Sequence, residues 1–480
     1  MNSNTDEYIN PLIQRYSSAQ MSYIFSPDFK FTTWRKLWIA LAECEMQLGL
    51  PVSSEQIEEM KSQIHNIDYE LAKKIEANTR HDVMAHVHTF GAACPKAKSI
   101  IHLGATSAFV GDNTDLIQIK RASTLLLQRM APLFKTLRDF TLTYRNLPTL
   151  GFTHFQPAQC TTVGKRACLW AYDLLLDFEA LSYFVTNLPF RGVKGTTGTQ
   201  ASYLKLFNND HEKVKKLDSM VAQKMGYTKL FPVTGQTYTR KIDAQISSIL
   251  SGLAQSLHKI ANDIRLLQHL KEIEEPFEKK QVGSSAMAYK RNPMRSERLT
   301  AIARFILSLS SSPAMTAAEQ WFERTLDDSA NKRLSIPQLF LAADAALIIA
   351  LDICDGLVVY PNVIFQHIKQ ELPFMATENI IMEAVKKGGD RQIIHERIRN
   401  HSIEASKKIK QRGQKNDLLE RIISDDTINL NKEEIEKIFN INHFIGRAPQ
   451  QTVEFVREYL EPLLAKCKNY GFAEKINLNV

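Results

Sequence analysis

One segment constrains the fold more than any other. Between Arg240 and Glu275, isoleucine and leucine recur every three or four residues, and Pro276 closes the pattern. This spacing places the apolar side chains on one face of an α-helix, which at 1.5 Å per residue would be roughly 50 Å long. Because a stripe of that length cannot be buried against one short neighbour, the segment predicts a bundle of long helices that subunits can share.

Two other segments repeat this pattern. Apolar residues recur with helical spacing from 116 to 140, directly after the potential N-cap residues Asp112-Asn113-Thr114. Another helix is expected to begin after Pro293 and to stop near Pro313. Glycine (19) and proline (17) are scarce among the 480 residues, which favours long uninterrupted helices over turn-rich sheets. The predicted fold class is therefore all-α.

The length of the chain indicates several domains, because 480 residues are too many for one ordinary core. One boundary is expected near Gly111, where the first long helix should begin, and another between Tyr360 and Pro373, where the bundle pattern breaks. We therefore predict an N-terminal helical domain (1–111), a central long-helix bundle (112–364) and a C-terminal helical domain (365–480).

Several features favour a cytoplasmic protein. The first ten residues are polar and acidic, which is not typical of a secretory signal. The most apolar stretch, Leu339–Val359, contains three aspartates and so predicts a buried core helix instead of a membrane span. The six cysteines are scattered without a C-x-x-C pair, which indicates reduced thiols and gives no support for zinc.

The net charge of +8 and the pI near 9.0 leave three alternatives open: a nucleic-acid partner, an anionic small substrate, or a solvated basic surface. The sequence has no run of five basic residues and no alternation of aromatic and basic residues typical of RNA binding. Several arginines instead stand beside His, Asp, Ser and Thr in short motifs. This arrangement favours a pocket for a small polyanion over a nucleic-acid groove.

Three polar segments interrupt the apolar helical pattern. In Thr79-Arg80-His81-Asp82, arginine and histidine could bind a phosphate, although the segment could equally be a solvated helix face. The segment 102–107, HLGATS, could present donors to a carboxylate or could simply cap a helix. In the segment 151–157, GFTHFQP, His154 could be a general acid in a dry site, although a lone histidine among apolar residues is more often a core residue.

A fourth polar segment, GSSAMAYKRNP from Gly283 to Pro293, is the most specific signal. It follows the end of one long helix and precedes the start of another, so it can be a mobile loop that closes over a ligand. Serine is a weak base unless its alkoxide is stabilised, and both Lys290 and the following helix N-terminus favour local negative charge. A flexible Ser/Gly linker would not explain Lys290 and Asn292 directly before a helix-starting proline.

This segment resembles the signature loop of the aspartase/fumarase superfamily, GSSxMPxKxN; we call residues 282–293 the signature loop. The segments TRHDVMAH, HLGATS, FTHFQPAQ, TGQTYTR and WFERTLDDSANKR resemble those of the adenylosuccinate lyase family, in the same order, with animal-type members the most similar. One residue departs from the pattern, since Ala288 stands where the family usually has proline. The loop is therefore expected to be less rigid than is usual.

The resemblance implies a three-domain fold and a homotetramer whose active sites draw on three chains. It also implies an anti β-elimination that releases fumarate from adenylosuccinate, giving AMP, and from succinylated aminoimidazole carboxamide ribotide, giving the amide. No metal or organic cofactor, no nucleic acid and no membrane is expected to take part. The required groups are a base for the Cβ proton, an acid for the leaving nitrogen, and fixed donors for the carbanion.

The resemblance also assigns residues to these roles. Ser284 is expected to be the base, with Ser285 as the close alternative. His154 is expected to be the general acid, and Glu297 the carboxylate that orients it. The side chains expected to hold the succinyl carboxylates are Lys290, Asn292, Thr106 and Ser107. The side chains expected to bind the nucleotide and its phosphate are Arg15, Tyr16, Arg80, His81, Asp82, Arg324, Ser329 and Arg333, with Gln236 and Arg298 as further substrate contacts.

Two other classes of function are alternatives to this elimination. One is another fumarate-releasing lyase of the superfamily, such as fumarase or argininosuccinate lyase; Arg324, Ser329 and Arg333 argue against it, because those substrates carry no phosphate. The other is a non-catalytic helical scaffold or nucleic-acid binder. That alternative predicts the loss of a catalytic residue, yet each of the expected catalytic residues is present in the sequence.

Overall fold

Long helices form the centre of the molecule, and the predicted all-α fold class is confirmed. The computed structural model describes residues 6–473 and 476. The longest helices pack side by side around one large apolar core. The helices from the start of the chain to the end of this bundle are α1 (Ala19–Ile24), α2 (Pro27–Gln47), α3 (Ser54–Ser62), α4 (Tyr69–Thr79), α5 (Asp82–Ala93), α6 (Ser107–Thr143), α7 (Val163–Asn187), α8 (Ala201–Leu206), α9 (His211–Lys224), α10 (Lys241–His269), α11 (Met294–Leu309), α12 (Ser311–Ala318) and α13 (Asp327–Asp355).

The remaining elements are shorter. The C-terminal helices are α14 (Pro361–Met375), α15 (Thr377–Lys386), α16 (Arg391–Arg412), α17 (Leu418–Ile423), α18 (Lys432–Ile438), α19 (Ala448–Phe455) and α20 (Glu461–Cys467). Two antiparallel pairs of strands are present: β1 (Pro148–Thr153) with β2 (Gln156–Thr162), and β3 (Ile273–Glu274) with β4 (Val358–Val359). Leu12–Tyr16 and Val456–Leu460 are π-helical, and Ile441–His443 is a 3-10 turn.

Helix α10 agrees with its predicted start but is shorter than predicted. Its apolar stripe is buried in the bundle at the spacing seen in the sequence: Ile246, Leu250, Leu253, Leu257, Ile260, Ile264 and Leu267. The helix ends at His269 instead of Glu275, because Ile273 and Glu274 pair with Val359 and Val358 as a short strand. The predicted helix after Pro293 is also present, as α11.

Helix α6 begins earlier than predicted. Its N-cap is Thr106, so Asp112, Asn113 and Thr114 lie inside the helix and are buried. The N-cap prediction was wrong because tertiary contacts occupy these polar side chains. Asn113, for example, accepts a 3.0 Å hydrogen bond from Gly192 N and donates a 3.1 Å bond to Gly192 O.

Three hydrophobic cores are present in the described part of the chain. The largest joins the central helices with residues 456–467, the second joins residues 34–110 with 190–227, and the third lies within 376–438. Packing therefore crosses the predicted boundaries at 111/112 and 364/365. Helix α13, which is long and apolar enough to span a membrane, is mostly buried inside the molecule, as expected of a core helix.

Candidate active site

A cavity of about 300 Å³ lies where the starts of α5, α6 and α13 meet α2. Five of the predicted substrate-binding residues line it: Asp82, Ser107, Arg324, Ser329 and Arg333. These residues come from segments up to about 250 positions apart in sequence, as in the 3.3 Å ion pair between Arg333 Nη2 and Asp82 Oδ2. The fold thus brings three of the singled-out motifs to one place.

His81 connects two of these motifs. It is the N-cap of α5, and its Nδ1 accepts a 3.3 Å hydrogen bond from Met84 N. In the neutral ring the proton is therefore on Nε2, which lies 3.2 Å from Ser107 Oγ. The hydroxyl of Ser107 is thereby held at the N-terminus of α6. The free backbone N–H groups of a helix N-terminus can also bind an anion.

Gln236 and Arg324 form a second connected pair beside the cavity. Arg324 Nη1 donates a 3.1 Å hydrogen bond to Gln236 Oε1, and Gln236 N donates a 2.9 Å bond to Glu323 O. The buried guanidinium of Arg191 donates to Gln236 O from Nε at 2.9 Å. Gly235 allows this close approach, because a Cβ there would lie 2.4 Å from Glu323 O. The loop that carries Gln236 is consequently fixed from two sides.

Several predicted nucleotide contacts lie outside the cavity lining. Arg15 and Tyr16 end the π-helical segment, and Arg15 is exposed. Arg80 is exposed and occupies the left-handed C-cap of α4, with φ of 55°. Thr106 is the N-cap of α6, and its buried Oγ1 has no hydrogen-bond partner among the described residues.

The predicted acid and its orienting carboxylate lie on different elements of the chain. His154 and Phe155 form the exposed turn between β1 and β2, with φ of 53° and 56°. This hairpin was missed in the sequence because its strands, PTLGFT and QPAQCTT, contain no valine or isoleucine and so lack the usual strand pattern. Glu297 lies in the first turn of α11 and lines a separate depression of about 540 Å³. Within residues 6–473 no hydrogen bond joins His154 to Glu297, and the half-buried Arg298 follows Glu297 on α11.

The two ends of the signature loop meet at Gly283 and Asn292, which we call the neck. The residues between them form an exposed turn, which we call the tip. Asn292 Nδ2 donates a 2.8 Å hydrogen bond to Gly283 O, so one of its two amide N–H bonds is used within the loop. A Cβ at Gly283 would lie 2.3 Å from Lys290 O, so only glycine fits this closure. At the tip, Ser284 Oγ accepts hydrogen bonds from Met287 N at 3.1 Å and Ala286 N at 3.4 Å.

Other exposed groups surround this turn. Ser285 and Lys290 are exposed, as are the large apolar side chains of Met287 and Tyr289. The loop thus presents a serine, a lysine and apolar surface together at a protruding tip.

Sequence reasoning missed six further charged residues that line the cavity: Lys30, Asp112, Asp115, Asp243, Asp328 and Lys332. Asp328 and Lys332 stand inside the motif DDSANKR, on either side of Ser329-Ala330-Asn331. Lys30 gave no motif signal. Burial lowers the pKa of Lys30, whose ammonium lies 4.9 Å from the ring centre of Trp34 and 5.2 Å from that of Phe31.

The described residues contain no group of three or more His, Cys, Asp or Glu side chains arranged to hold a metal ion. The charges at the cavity are instead arranged as ion pairs between acidic and basic side chains.

Comparison with known proteins places this geometry in a family. The family described as "Lyase" matches residues 17–307, and that described as "Adenylosuccinate lyase C-terminus" matches residues 373–455. The chain is 52% identical to the adenylosuccinate lyase of Saccharomyces cerevisiae, over 99% of both chains. It is 46% identical to the adenylosuccinate lyase of Schistosoma mansoni, over 97% of both chains.

The fold agrees with this assignment. The 3-carboxy-cis,cis-muconate lactonizing enzyme of Pseudomonas putida superposes with a TM-score of 0.79, covering 96% of this chain and all of that one (100%), at 20% sequence identity. Identity this low shows a shared fold only, whereas the curated relatives match along nearly the whole length. The chain belongs to the adenylosuccinate lyase family.

Proposed function

We propose that this protein cleaves adenylosuccinate to AMP and fumarate, and succinylated aminoimidazole carboxamide ribotide to its amide and fumarate. The observation that carries the proposal is the cavity in which Arg324, Ser329 and Arg333 lie beside Ser107 and Asp82. Arginines and hydroxyls in one cavity suit a substrate that carries a phosphate and carboxylates. Relatives of matching length that bear the name adenylosuccinate lyase support the same reaction.

Ser284 is the proposed base, which takes the Cβ proton of the succinyl group. Two backbone N–H groups already point at its Oγ, from Ala286 and Met287. Such donors stabilise an alkoxide, as oxyanion holes stabilise other oxyanions. Lys290, from the same exposed tip, adds a positive charge. Ser285 is exposed in the same turn and is the alternative base.

His154 is the proposed acid. When the Cβ proton has moved to serine, the electron pair forms the C=C bond of fumarate and the C–N bond breaks. The leaving nitrogen then takes a proton from His154. Before the bond breaks, negative charge spreads onto the neighbouring carboxylate, which Lys290, Asn292, Thr106 and Ser107 are proposed to hold. Glu297 is proposed to orient the imidazole.

Because neither His154 nor the signature loop lines the cavity of its own chain, we propose a homotetramer with active sites shared between subunits. Support comes from α7, whose outer face exposes Leu169, Tyr172, Leu176 and Tyr183 at near-helical spacing. A contiguous apolar stripe on a soluble helix marks an association surface. His154 at the tip of the β1–β2 hairpin is exposed, as are Ser285 and Lys290 in the signature loop.

The reaction is proposed to need no metal or organic cofactor, and the protein to work in the cytoplasm without nucleic-acid or membrane partners. The cytoplasmic location is supported by the cysteines, since all six are buried free thiols. Thiols persist in reducing compartments.

Fumarate release tests the function. We expect the purified protein, with EDTA present, to form fumarate and AMP in equal amounts from adenylosuccinate, and to form no fumarate from argininosuccinate or malate. The Ser284→Ala, Ser285→Ala double variant should release none. Fumarate formation from argininosuccinate or malate, but not from adenylosuccinate, would contradict the proposed substrate. Loss of activity with EDTA, restored by a divalent metal, would contradict cofactor independence.

The departure at Ala288 gives a separate prediction. Ala288→Pro should restrict the exposed loop, because proline fixes φ, and should alter loop closure more than substrate binding. We expect kcat to change by more than about twofold while KM stays within about twofold. Equal kcat values for the two proteins in steady-state assays would show that this residue does not govern closure.

A further inference from the structure

We propose that four charged residues at the floor of the cavity, three of them buried, act together as positioning residues for nucleotide binding. We call Asp112, Arg240, Asp328 and Lys332 the floor cluster. The inference rests on the proposed function, since it assumes that the cavity above the cluster binds the nucleotide part of the substrate. It assigns a role to residues that the sequence motifs left without one.

Arg240 is the centre of the floor cluster. Its Nη2 lies 3.0 Å from Asp112 Oδ1 and 2.6 Å from Asp328 Oδ2. The guanidinium packs over the ring of Tyr238, 4.3 Å from the ring centre. One side chain at the start of α10 thereby joins α6 to α13.

Asp112 and Lys332 complete the connection. Asp112 Oδ2 accepts a 2.8 Å hydrogen bond from Tyr238 N, which holds the loop that carries Gln236. Lys332 Nζ lies 3.6 Å from Asp112 Oδ1 and 3.7 Å from Asp328 Oδ2, and it donates to Asp115. Each charge in the cluster therefore has an opposite charge close by.

Three members of the floor cluster are near neighbours in sequence of a proposed substrate contact. Asp328 directly precedes Ser329, and Lys332 directly precedes Arg333. Arg240 lies at the end of the loop that carries Gln236. The cluster therefore sets the distances between side chains that must bind one rigid nucleotide together.

Although Asp112, Asp328 and Lys332 line the cavity, the floor cluster is unsuited to direct binding because its charges are paired with one another. The side chains of Asp112, Arg240 and Asp328 are at most 4% exposed, and Lys332 is 17% exposed. Burial opposes ionisation of Asp112, but Arg240 and Lys332 outweigh it and hold the pKa of Asp112 at about 2. The carboxylate of Asp112 is therefore ionised at neutral pH and paired with Arg240 and Lys332. The cluster acts through its neighbours and not on the reacting atoms.

The test is Asp112→Asn, which keeps the volume and the acceptor for Tyr238 N but removes the charge. We expect KM for adenylosuccinate and Kd for AMP to rise at least about tenfold, while kcat stays within about threefold. Arg240→Lys, which keeps the charge but cannot reproduce the planar guanidinium, should show the same split. It serves as the second variant if Asp112→Asn does not fold.

Glu43→Gln is the matched control. Glu43 also bridges two cations, with Lys61 Nζ at 2.9 Å and Lys224 Nζ at 2.7 Å, but it lies away from the cavity. Its KM and Kd should stay within about twofold of wild type, even if the thermal stability falls. An effect of Asp112→Asn that is only structural would lower stability in the same way and leave KM unchanged.

A double-variant cycle separates the two roles further. If the cluster acts through Arg333, the KM effect of Asp112→Asn should shrink to less than about threefold in an Arg333→Ala background. Folded Asp112→Asn protein with wild-type KM and wild-type Kd for AMP would overturn the inference while leaving the proposed function intact. Wild-type protein that binds AMP but releases no fumarate would reject the proposed function, and the AMP affinities would still decide the role of the cluster.

Discussion

Ser284→Ala is expected to lower kcat for fumarate release by about a thousandfold or more, with the affinity for AMP unchanged. The proton on Cβ of the succinyl group is weakly acidic, so its removal depends on a stabilised alkoxide. Ser284 Oγ already accepts hydrogen bonds from the backbone N–H groups of Ala286 and Met287. Alanine removes the base but keeps Lys290 and the neck of the loop. Single-turnover assays with saturating adenylosuccinate measure the chemical step directly.

The neighbouring serine supplies the matched control. Ser285→Ala should keep kcat within about tenfold of wild type, because Ser285 is not the acceptor of the turn hydrogen bonds. The reverse result, with an inactive Ser285→Ala and an active Ser284→Ala, would transfer the role of base to Ser285. Similar activity in both single variants would remove the loop serines from proton abstraction.

His154→Ala is expected to lower the rate of elimination by about a hundredfold to ten-thousandfold, while leaving the proposed tetramer intact. His154 lies at an exposed hairpin tip, outside the three cores, so its loss should not disturb packing. Because its φ is 53°, His154→Asn is a useful second variant, since asparagine tolerates the left-handed region. Size-exclusion chromatography and circular dichroism check assembly and fold.

His211→Ala is the control for this prediction, because His211 is exposed at the start of α9, away from the cavity. It should retain wild-type kcat. Unimpaired elimination by both His154 variants would show that another group protonates the leaving nitrogen. Dissociated subunits would instead assign His154 a role in assembly.

The long helices could be predicted from the sequence because their signal is local. The recurring apolar residues of α10 predict its face and its start near Arg240. The same spacing cannot show that Ile273 and Glu274 pair with a strand more than 80 positions later. The periodicity of apolar residues cannot predict where a helix ends when a distant contact decides that end.

The candidate site also has one part that local sequence motifs predict and another part that depends on contacts between distant residues. The motifs TRHD, HLGATS and DDSANKR each contain residues that line the cavity, and the roles of these residues came from the family resemblance. The floor cluster was missed because its contacts are non-local: Asp112 and Arg240 are 128 positions apart, and Lys332 and Asp115 are 217 apart. Read locally, Asp112 looked like a helix cap, since aspartate is a common N-cap residue.

The central claim is the proposed completion of the elimination site between subunits, since neither the signature loop nor the His154 hairpin lines the cavity of its own chain. Mixing two inactive proteins tests it most directly: Ser284→Ala and His154→Ala are combined, dissociated, reassembled and assayed for fumarate release from adenylosuccinate. If serine and histidine come from different chains, random mixing should return about a quarter of wild-type activity. Hybrid tetramers that form, as shown by native mass spectrometry, yet remain inactive would contradict the account.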